Sequence, residues 1–539
     1  VPALRTAAAA LATLLMVTAC SSSDDGSAET ADGTGADEPA GAPDASDAET
    51  NASDADATLR FVTPYTVRSL DPVEQGLWSP EWGYGELLMR ATEDGTVEPW
   101  LLEDLQADDA STWHLTLHED ITFSNGNQLD AEALAAVFDH HLAENALAAA
   151  NLPGATVTVE DETTLLLETT EPVSNLPNLL AAEDMMSVFD AEALAAAGDD
   201  PQAVLDAGIY TGPYVVTSLD ENEMVLERND DYWDGDVALA GASVRFVPDE
   251  QARVRAVQSR EADVALYPPT SLLAPMVDAG SGPRLAVAEQ PLQQFRAIPN
   301  LNQAPMDDPA VRRAFALGLD YQAIAEQVLD GLYSAPTGLY PDTVDYALPS
   351  QRTDRDEAAG LLEDAGWTLG DDGVREKDGE RLSVTILHYP QQPDTEQMAL
   401  AMQSQLAEIG FEVALELTDD NYTTMRESDS WDIGLSLDGT LGYTYDPVGR
   451  LRDFLTTDGE RNFGGVSDST LDALVDQLLT ETDGDAQRPL LEQAQQVIAD
   501  EALVVIVAQR SSPAVVSEDA PGYRPSSVLH HLGADTQAG

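Results

Sequence analysis

From Leu59 to the end of the 539-residue chain, short apolar strand patterns alternate with amphipathic helical ones. That alternation predicts an α/β protein, with sheets covered by helices. Leu59–Thr63 reads as the first strand. Trp113–Leu117 and Ile121–Phe123 read as a strand pair, with Ser124-Asn-Gly126 as the turn that follows. Asp130 is placed to cap a helix whose apolar face carries Leu134, Val137, Phe138 and Leu142. Thr156–Val159 and Thr164–Leu167 read as another pair, and Met224–Glu227 and Ser243–Val247 as further strands. Pro248 opens a helix that carries Val254 and Val257. Downstream, Pro309–Leu319, Glu357–Ala365, Glu396–Ile409, Leu471–Leu479 and Pro489–Ala499 read as helices. Leu382–Leu387, Glu412–Leu417, Ile433–Leu437 and Leu503–Val507 read as strands. The repeated Asp-Ala-Glu-Ala-Leu-Ala at 130–135 and 190–195 reads as two capped, alanine-rich helix starts.

This length exceeds one ordinary domain and predicts two lobes or more. Hydrophobic residues make up 43%, enough to bury sizeable cores.

The single cysteine, Cys20, leaves no route to an internal disulfide or a thiolate metal cluster. It follows one basic residue, Arg5, an apolar run from Ala7 to Val17, and small residues. That run is too short to span a bilayer as a helix and has the form of an export signal. Val17-Thr18-Ala19-Cys20 resembles a lipobox, which predicts a signal peptide over 1–20 and a lipid on Cys20. Residues 21–58 carry acidic groups, no basic one, and mainly Ala, Ser, Thr, Gly and Pro otherwise. Such a segment has nothing to form a core and is expected to be a disordered tether. At 38 residues it would span about 35 Å as a coil.

Acidic residues number 98 against 25 basic, a formal net charge of -73, and the one lysine is Lys377. A surface of that sign repels phosphate backbones, which argues against a nucleic-acid partner. Abundant carboxylates also make any close pair weak evidence for acid–base catalysis. No Gly-x-Ser-x-Gly elbow, His-Glu-x-x-His helix or cysteine nucleophile is present. An enzyme is therefore not expected, and a secreted hydrolase is kept only as the alternative.

Five blocks in order carry a resemblance to a known family. They are Thr112–Gly126 with Leu129-Asp-Ala-Glu132, Tyr210–Tyr214 with Leu226–Trp233, Val244–Asp249 with Ala262-Asp-Val264, Asp308–Phe315, and Ala358–Trp367. Together they resemble the peptide/nickel solute-binding proteins of ABC importers, in lipoprotein form. The resemblance implies an α/β two-lobe clam of the type II periplasmic-binding-protein kind, with an extra subdomain and the ligand in the cleft between lobes. Lobe I would be 59–284, lobe II 285–503, and 504–539 the return to lobe I. It further implies a monomer on the outer face of the membrane that captures a small peptide or metal chelate and delivers it to permease subunits. A sensing or adhesion role on the same fold is a further alternative. Hinge closure needs no cofactor.

The family lines its cleft with the stretch after the first strand, which points to Trp78, Trp82 and Tyr84 as ligand contacts, with Tyr65 nearby. Each could equally pack in the core. Gly442-Tyr443-Thr-Tyr445-Asp446-Pro447 resembles the segment by which the second lobe closes, which nominates Tyr445 first and Tyr443 next. Trp113, Trp233 and Trp367 lie in blocks shared whatever the ligand and are read as packing residues. Asp446-Pro447 is read as a turn former.

Dipeptide-binding members place an aspartate shortly before the Asp-Pro pair, where this chain has Tyr443. Gly366-Trp-Thr-Leu369 and Arg375-Glu-Lys-Asp-Gly379 look closer to the nickel-binding branch. That branch's histidine is replaced by Thr456-Thr-Asp-Gly-Glu460, and its ligand-anchoring arginine by acidic and methionine residues at Glu183–Met186. His140-His141 and His530-His531 are read as solvated or packed, not as metal ligands; adjacent helical side chains diverge by about 100°.

Overall fold

The computed structural model describes residues 56–539 apart from 270–271, 274–281, 292, 393, 429 and 439–444. The signal run, Cys20, nearly all of the tether and Tyr443 lie outside the described residues.

The strand Thr58–Thr63 organises the first sheet of seven strands. It pairs in parallel with Gly241–Phe246 on one side and Val264–Leu266 on the other. Pro513–Val516 and Arg284–Val287 extend the sheet beyond Val264–Leu266. Glu223–Arg228 and Tyr214–Leu219 extend the other edge. A strand held in parallel on both sides needs both faces covered. Phe61 and Val62 are fully buried on opposite faces. Phe61 meets Trp82 and Tyr523 edge-on, each at 5.4 Å. Val62 packs with Val254 and Val257 of the helix Glu250–Gln258. Truncating Phe61 to alanine would cost about 3–5 kcal/mol.

A separate antiparallel sheet orders Leu102–Asp109, Thr112–Leu117, Thr164–Glu168 and Thr156–Val159. The helix Ala131–Glu144 buries Leu134, Val137 and Phe138 in the core this sheet shares. Asp130 caps it, its carboxylate accepting from Ala133 N at 2.8 Å. Ile121–Phe123 does not form the expected strand. It does not pair with Trp113–Leu117; instead Thr122 makes an isolated antiparallel bridge to Gln128, with Phe123 N donating to Asn127 O and Leu129 N to Ile121 O across the Ser124–Gly126 turn. Ile121 and Phe123 bury their side chains from this short turn segment; their hydropathy reports burial rather than a strand paired with Trp113–Leu117.

The second sheet has six strands, ordered Tyr333–Ser334, Val505–Arg510, Gln293–Pro299, Ile433–Asp438, Ser383–His388 and Glu412–Leu417. Its core joins Phe295, Val384, Ile386 and Leu435 to Met398, Met402 and Leu406 of the helix Asp394–Ala407. Three further helices, Pro447–Leu455, Ser469–Leu478 and Gly484–Glu501, share a third core that also takes in Ala91 and Val528. The last of these starts earlier than Pro489 because Asp483 caps it, accepting from Asp485 N at 2.9 Å.

The chain leaves the first sheet after Val287 and enters the second at Gln293. It returns between Arg510 and Pro513. Both passages fall a few residues beyond the expected 284/285 and 503/504 boundaries, because strand pairing continues through those positions.

Candidate ligand site

An aromatic strip begins at the surface with Tyr65, which is 47% exposed. Its ring lies 5.8 Å from that of Trp78 and meets Tyr267 edge-on at 4.9 Å. The Tyr267 hydroxyl is 3.3 Å from His531 Nε2. Trp78 opens the short helix Trp78–Glu81 and stays half-buried.

Trp82 and Tyr84 take a different position from these two: each is only 1% exposed. Trp82 lies against Phe61 and, at 5.2 Å, against His531; Tyr84 meets Tyr210 edge-on at 5.0 Å. Their large rings are in the core of the first sheet, where burial of each stabilises by about 1.5–3 kcal/mol. They back the strip rather than surface it. Gly83 between them has φ +65°, and a Cβ there would come within 2.4 Å of Leu532 O. Only glycine allows that turn and lets the C-terminal segment pass so close.

That close passage places the histidine pair beside two buried carboxyls. Glu81 O accepts from His531 N at 2.8 Å. His531 Nε2 lies 3.9 Å from Glu81 Oε2, and His530 Nε2 lies 3.5 Å from Glu183 Oε1. Glu81 is 4% and Glu183 6% exposed. Burial pushes the Glu81 carboxyl well above the usual range, and the charge of Glu183 adds to this. Burial raises Glu183 as well, opposed by His530. His531 is driven down to about 3 by burial and then by His530, so its imidazole is neutral. His530 also stacks on Trp100 at 5.6 Å, and the Arg90 guanidinium sits 5.9 Å from the same ring.

The second sheet's side meets this region through Tyr445 and Asp446. Tyr445 is buried, at φ +50°, and its carbonyl accepts from Asn178 Nδ2 at 2.6 Å. Asp446 caps the helix Pro447–Leu455, accepting from Gly449 N at 2.8 Å, with Pro447 at the favoured first position. Asn175 Nδ2 donates to the other Asp446 oxygen at 2.5 Å. Ser174 Oγ donates to Leu478 O at 2.8 Å. Next to these, Asp184 is raised by burial and drawn back by Arg450.

His140 and His141 face apart, their rings at 88°, and His141 Nε2 donates to Ser187 O at 2.8 Å. Trp113 and Trp367 are buried, and Trp233 donates from Nε1 to Glu86 at 2.9 Å. Among the described residues no group of three or more His, Cys, Asp or Glu is set to hold a metal ion, and no helix is long and apolar enough to cross a membrane.

Comparison with known proteins gives a consistent set. Residues 96–462 match the family model for bacterial extracellular solute-binding proteins, family 5 Middle. The chain is 28% identical over 400 residues to the nickel-binding periplasmic protein of Escherichia coli K12, covering 70% of this chain and 75% of that one. It is 26% identical to a probable di/tripeptide-binding protein 5 of Pseudomonas aeruginosa, over 87% and 93% of the two chains. The crystal structure of a nickel ABC transporter protein from Bacillus halodurans superposes with a TM-score of 0.79 at 26% identity, over 89% and 99%.

Proposed function

Since the chain belongs to the family 5 bacterial extracellular solute-binding proteins, we propose that it captures a small peptide or metal chelate outside the cell and delivers it to an ABC importer. The relatives are named as binding and transport proteins, for nickel in two cases and di/tripeptides in the third.

One observation in the fold carries the mechanism. Asn175 and Asn178, on the first sheet's side, donate to Asp446 and Tyr445, on the second sheet's side. Among the described residues the chain passes between the two sheets after Val287, entering the second at Gln293, and again between Arg510 and Pro513. Rotation about those passages would make and break this contact set. A solute touching both sides adds its binding energy to the closed arrangement and shifts the population towards it. Tyr65 and Trp78 offer ring faces to such a solute, and Tyr445 closes from the other side; Trp82 and Tyr84 back them. In this reading residues 59–287 with 513–539 form lobe I, and 293–510 form lobe II. A chelate would bring metal donors of its own, as cargo.

The N-terminus extends the reading. Cys20, acylated at the lipobox, would hold the monomer on the outer face of the membrane, with 21–58 as the spacer. Stable attachment needs more than one acyl chain. Cys20→Ser should move the protein out of the membrane fraction; retention there would remove the anchor from the account.

The test of the main reading is native mass spectrometry on protein gently purified from the cells that make it. Bound masses matching short peptides, or an adduct with a metal isotope pattern, are the expected result. Empty protein whose melting temperature is unmoved by tripeptide mixtures or by nickel with histidine would overturn it.

A further inference from the structure

We propose that Glu81 and Glu183 hold a cationic group of the solute, an ammonium or guanidinium, at the inner end of the aromatic strip. The inference rests on the solute-receptor reading and specifies the chemistry of its site.

The observation behind it is a carboxyl left without a donor. Glu81 Oε2 is buried and has no hydrogen-bond partner among the described residues. Other buried carboxyls are supplied. Glu86 accepts from Tyr232 and Trp233, Asp190 from Asn125 and Asn127, and Asp263 from Arg60. Asp394 accepts from Tyr333, Asp446 from Asn175, and Glu183 has His530 at 3.5 Å. An ionised carboxylate buried without a partner costs several kcal/mol, so this one is protonated until a cation arrives.

The surroundings are arranged for such a cation. His531 Nε2 is 3.9 Å from Glu81 Oε2, but the imidazole is neutral and is already within reach of the Tyr267 hydroxyl. Tyr84, another titratable neighbour, is held neutral by burial. Arg450 faces Asp184. Among the described residues the buried polar atoms Trp82 Nε1, Tyr84 Oη and His531 Nδ1 also lack hydrogen-bond partners. Trp100 already accepts one cation, Arg90, near its ring. A solute ammonium or guanidinium would meet two buried carboxyls, to which its hydrogen bonds are charge-assisted.

The experiment compares full-length wild type with Glu81→Gln and Glu183→Gln, each gently purified from the native cells. Solutes released by acid are identified by mass. The expected result is that retained solutes carry a basic nitrogen and that each variant keeps less than about a tenth of the wild-type amount, a loss of at least ~1.4 kcal/mol. Agmatine, as a defined guanidinium probe, is then titrated into stripped protein at pH 6 in two buffers of different ionisation enthalpy. Wild type should release a proton on binding, and Glu81→Gln should not. The amide variants remove a buried carboxyl without changing shape, and unchanged melting temperatures show that they fold; if one does not, the other carries the comparison. Retained solutes without a basic nitrogen, full retention by both variants, or agmatine binding without proton release would overturn the cation site and leave the receptor reading standing. Wild type that arrives empty and binds nothing would instead overturn the receptor reading.

Discussion

Asn175 and Asp446, 271 residues apart in sequence, are joined by a 2.5 Å hydrogen bond from Nδ2 to Oδ2, and both side chains are buried. The same carboxylate caps the helix Pro447–Leu455 through its other oxygen. One side chain therefore starts a helix on one side of the molecule and fastens it to the other side. Asn175→Ala removes the donor and leaves a buried acceptor unpaired, at about 1–3 kcal/mol. Solute affinity should fall roughly tenfold, and small-angle scattering with solute present should show a larger radius of gyration. Unchanged values of both would show that the contact does not hold the lobes together.

Gly449 tests the same carboxylate from the other side. A Cβ there would lie 2.2 Å from Asp446 Oδ2. Gly449→Ala should push the carboxylate off its partners and cost about 1–2 kcal/mol through the lost cap. Because both substitutions act at one oxygen, the double variant with Asn175→Ala should be less destabilised than the sum of the singles. Additive losses in urea melts would mean the two effects are independent.

Tyr445 separates ring from backbone. Its φ of +50° costs a non-glycine residue about 1–2 kcal/mol. Tyr445→Ala keeps that strain and loses the ring, and Tyr445→Gly loses both. Each should weaken solute binding by about 1–3 kcal/mol, with the glycine variant melting higher than the alanine one. Wild-type affinity in Tyr445→Ala, measured by calorimetry with the solute recovered from native protein, would take the ring out of the site.

The local code of the fold was readable because it is written in near neighbours. Asp130 before Ala131 is a short-range capping signal, and the helix begins there. Asp446-Pro447, read from sequence as a turn, instead caps and opens the helix Pro447–Leu455. The strand Glu412–Leu417 has the expected bounds. Ile121–Phe123 misled because a turn can bury two large side chains as a strand does. Trp82 and Tyr84 misled in the opposite sense. Position after the first strand suggested a cleft wall, but a reversal at Gly83 turns both rings inward. The two buried carboxyls were hidden for another reason. Among 98 acidic residues, Glu81 and Glu183 carry no local mark of burial. Their neighbours His530-His531 come from near the far end of the chain, whose next residue passes close over Gly83 by tertiary contact alone.

Glu86 makes the stability of the first-sheet side depend on pH, with a sign fixed by its surroundings. It accepts from the Tyr232 hydroxyl at 2.6 Å and from Trp233 Nε1 at 2.9 Å, yet burial outweighs those donors and lifts its pKa from 4.5 to about 7. Between those values the folded chain keeps a proton that the unfolded chain has released. Raising the pH then favours the unfolded state. The contribution is complete below pH 4.5. It declines as pH climbs, and is gone above the folded-state value, a span worth about 3 kcal/mol. Glu86→Gln has no proton to lose there, although its amide matches the two donors less well and lowers stability at all pH values. Urea unfolding at pH 4.5 and 7.5, followed by tryptophan fluorescence, should show wild type losing about 3 kcal/mol more than Glu86→Gln across that interval. Since other titrating groups are common to both proteins, equal losses would place the folded-state pKa of Glu86 at its ordinary value and make its two donors dominant over burial.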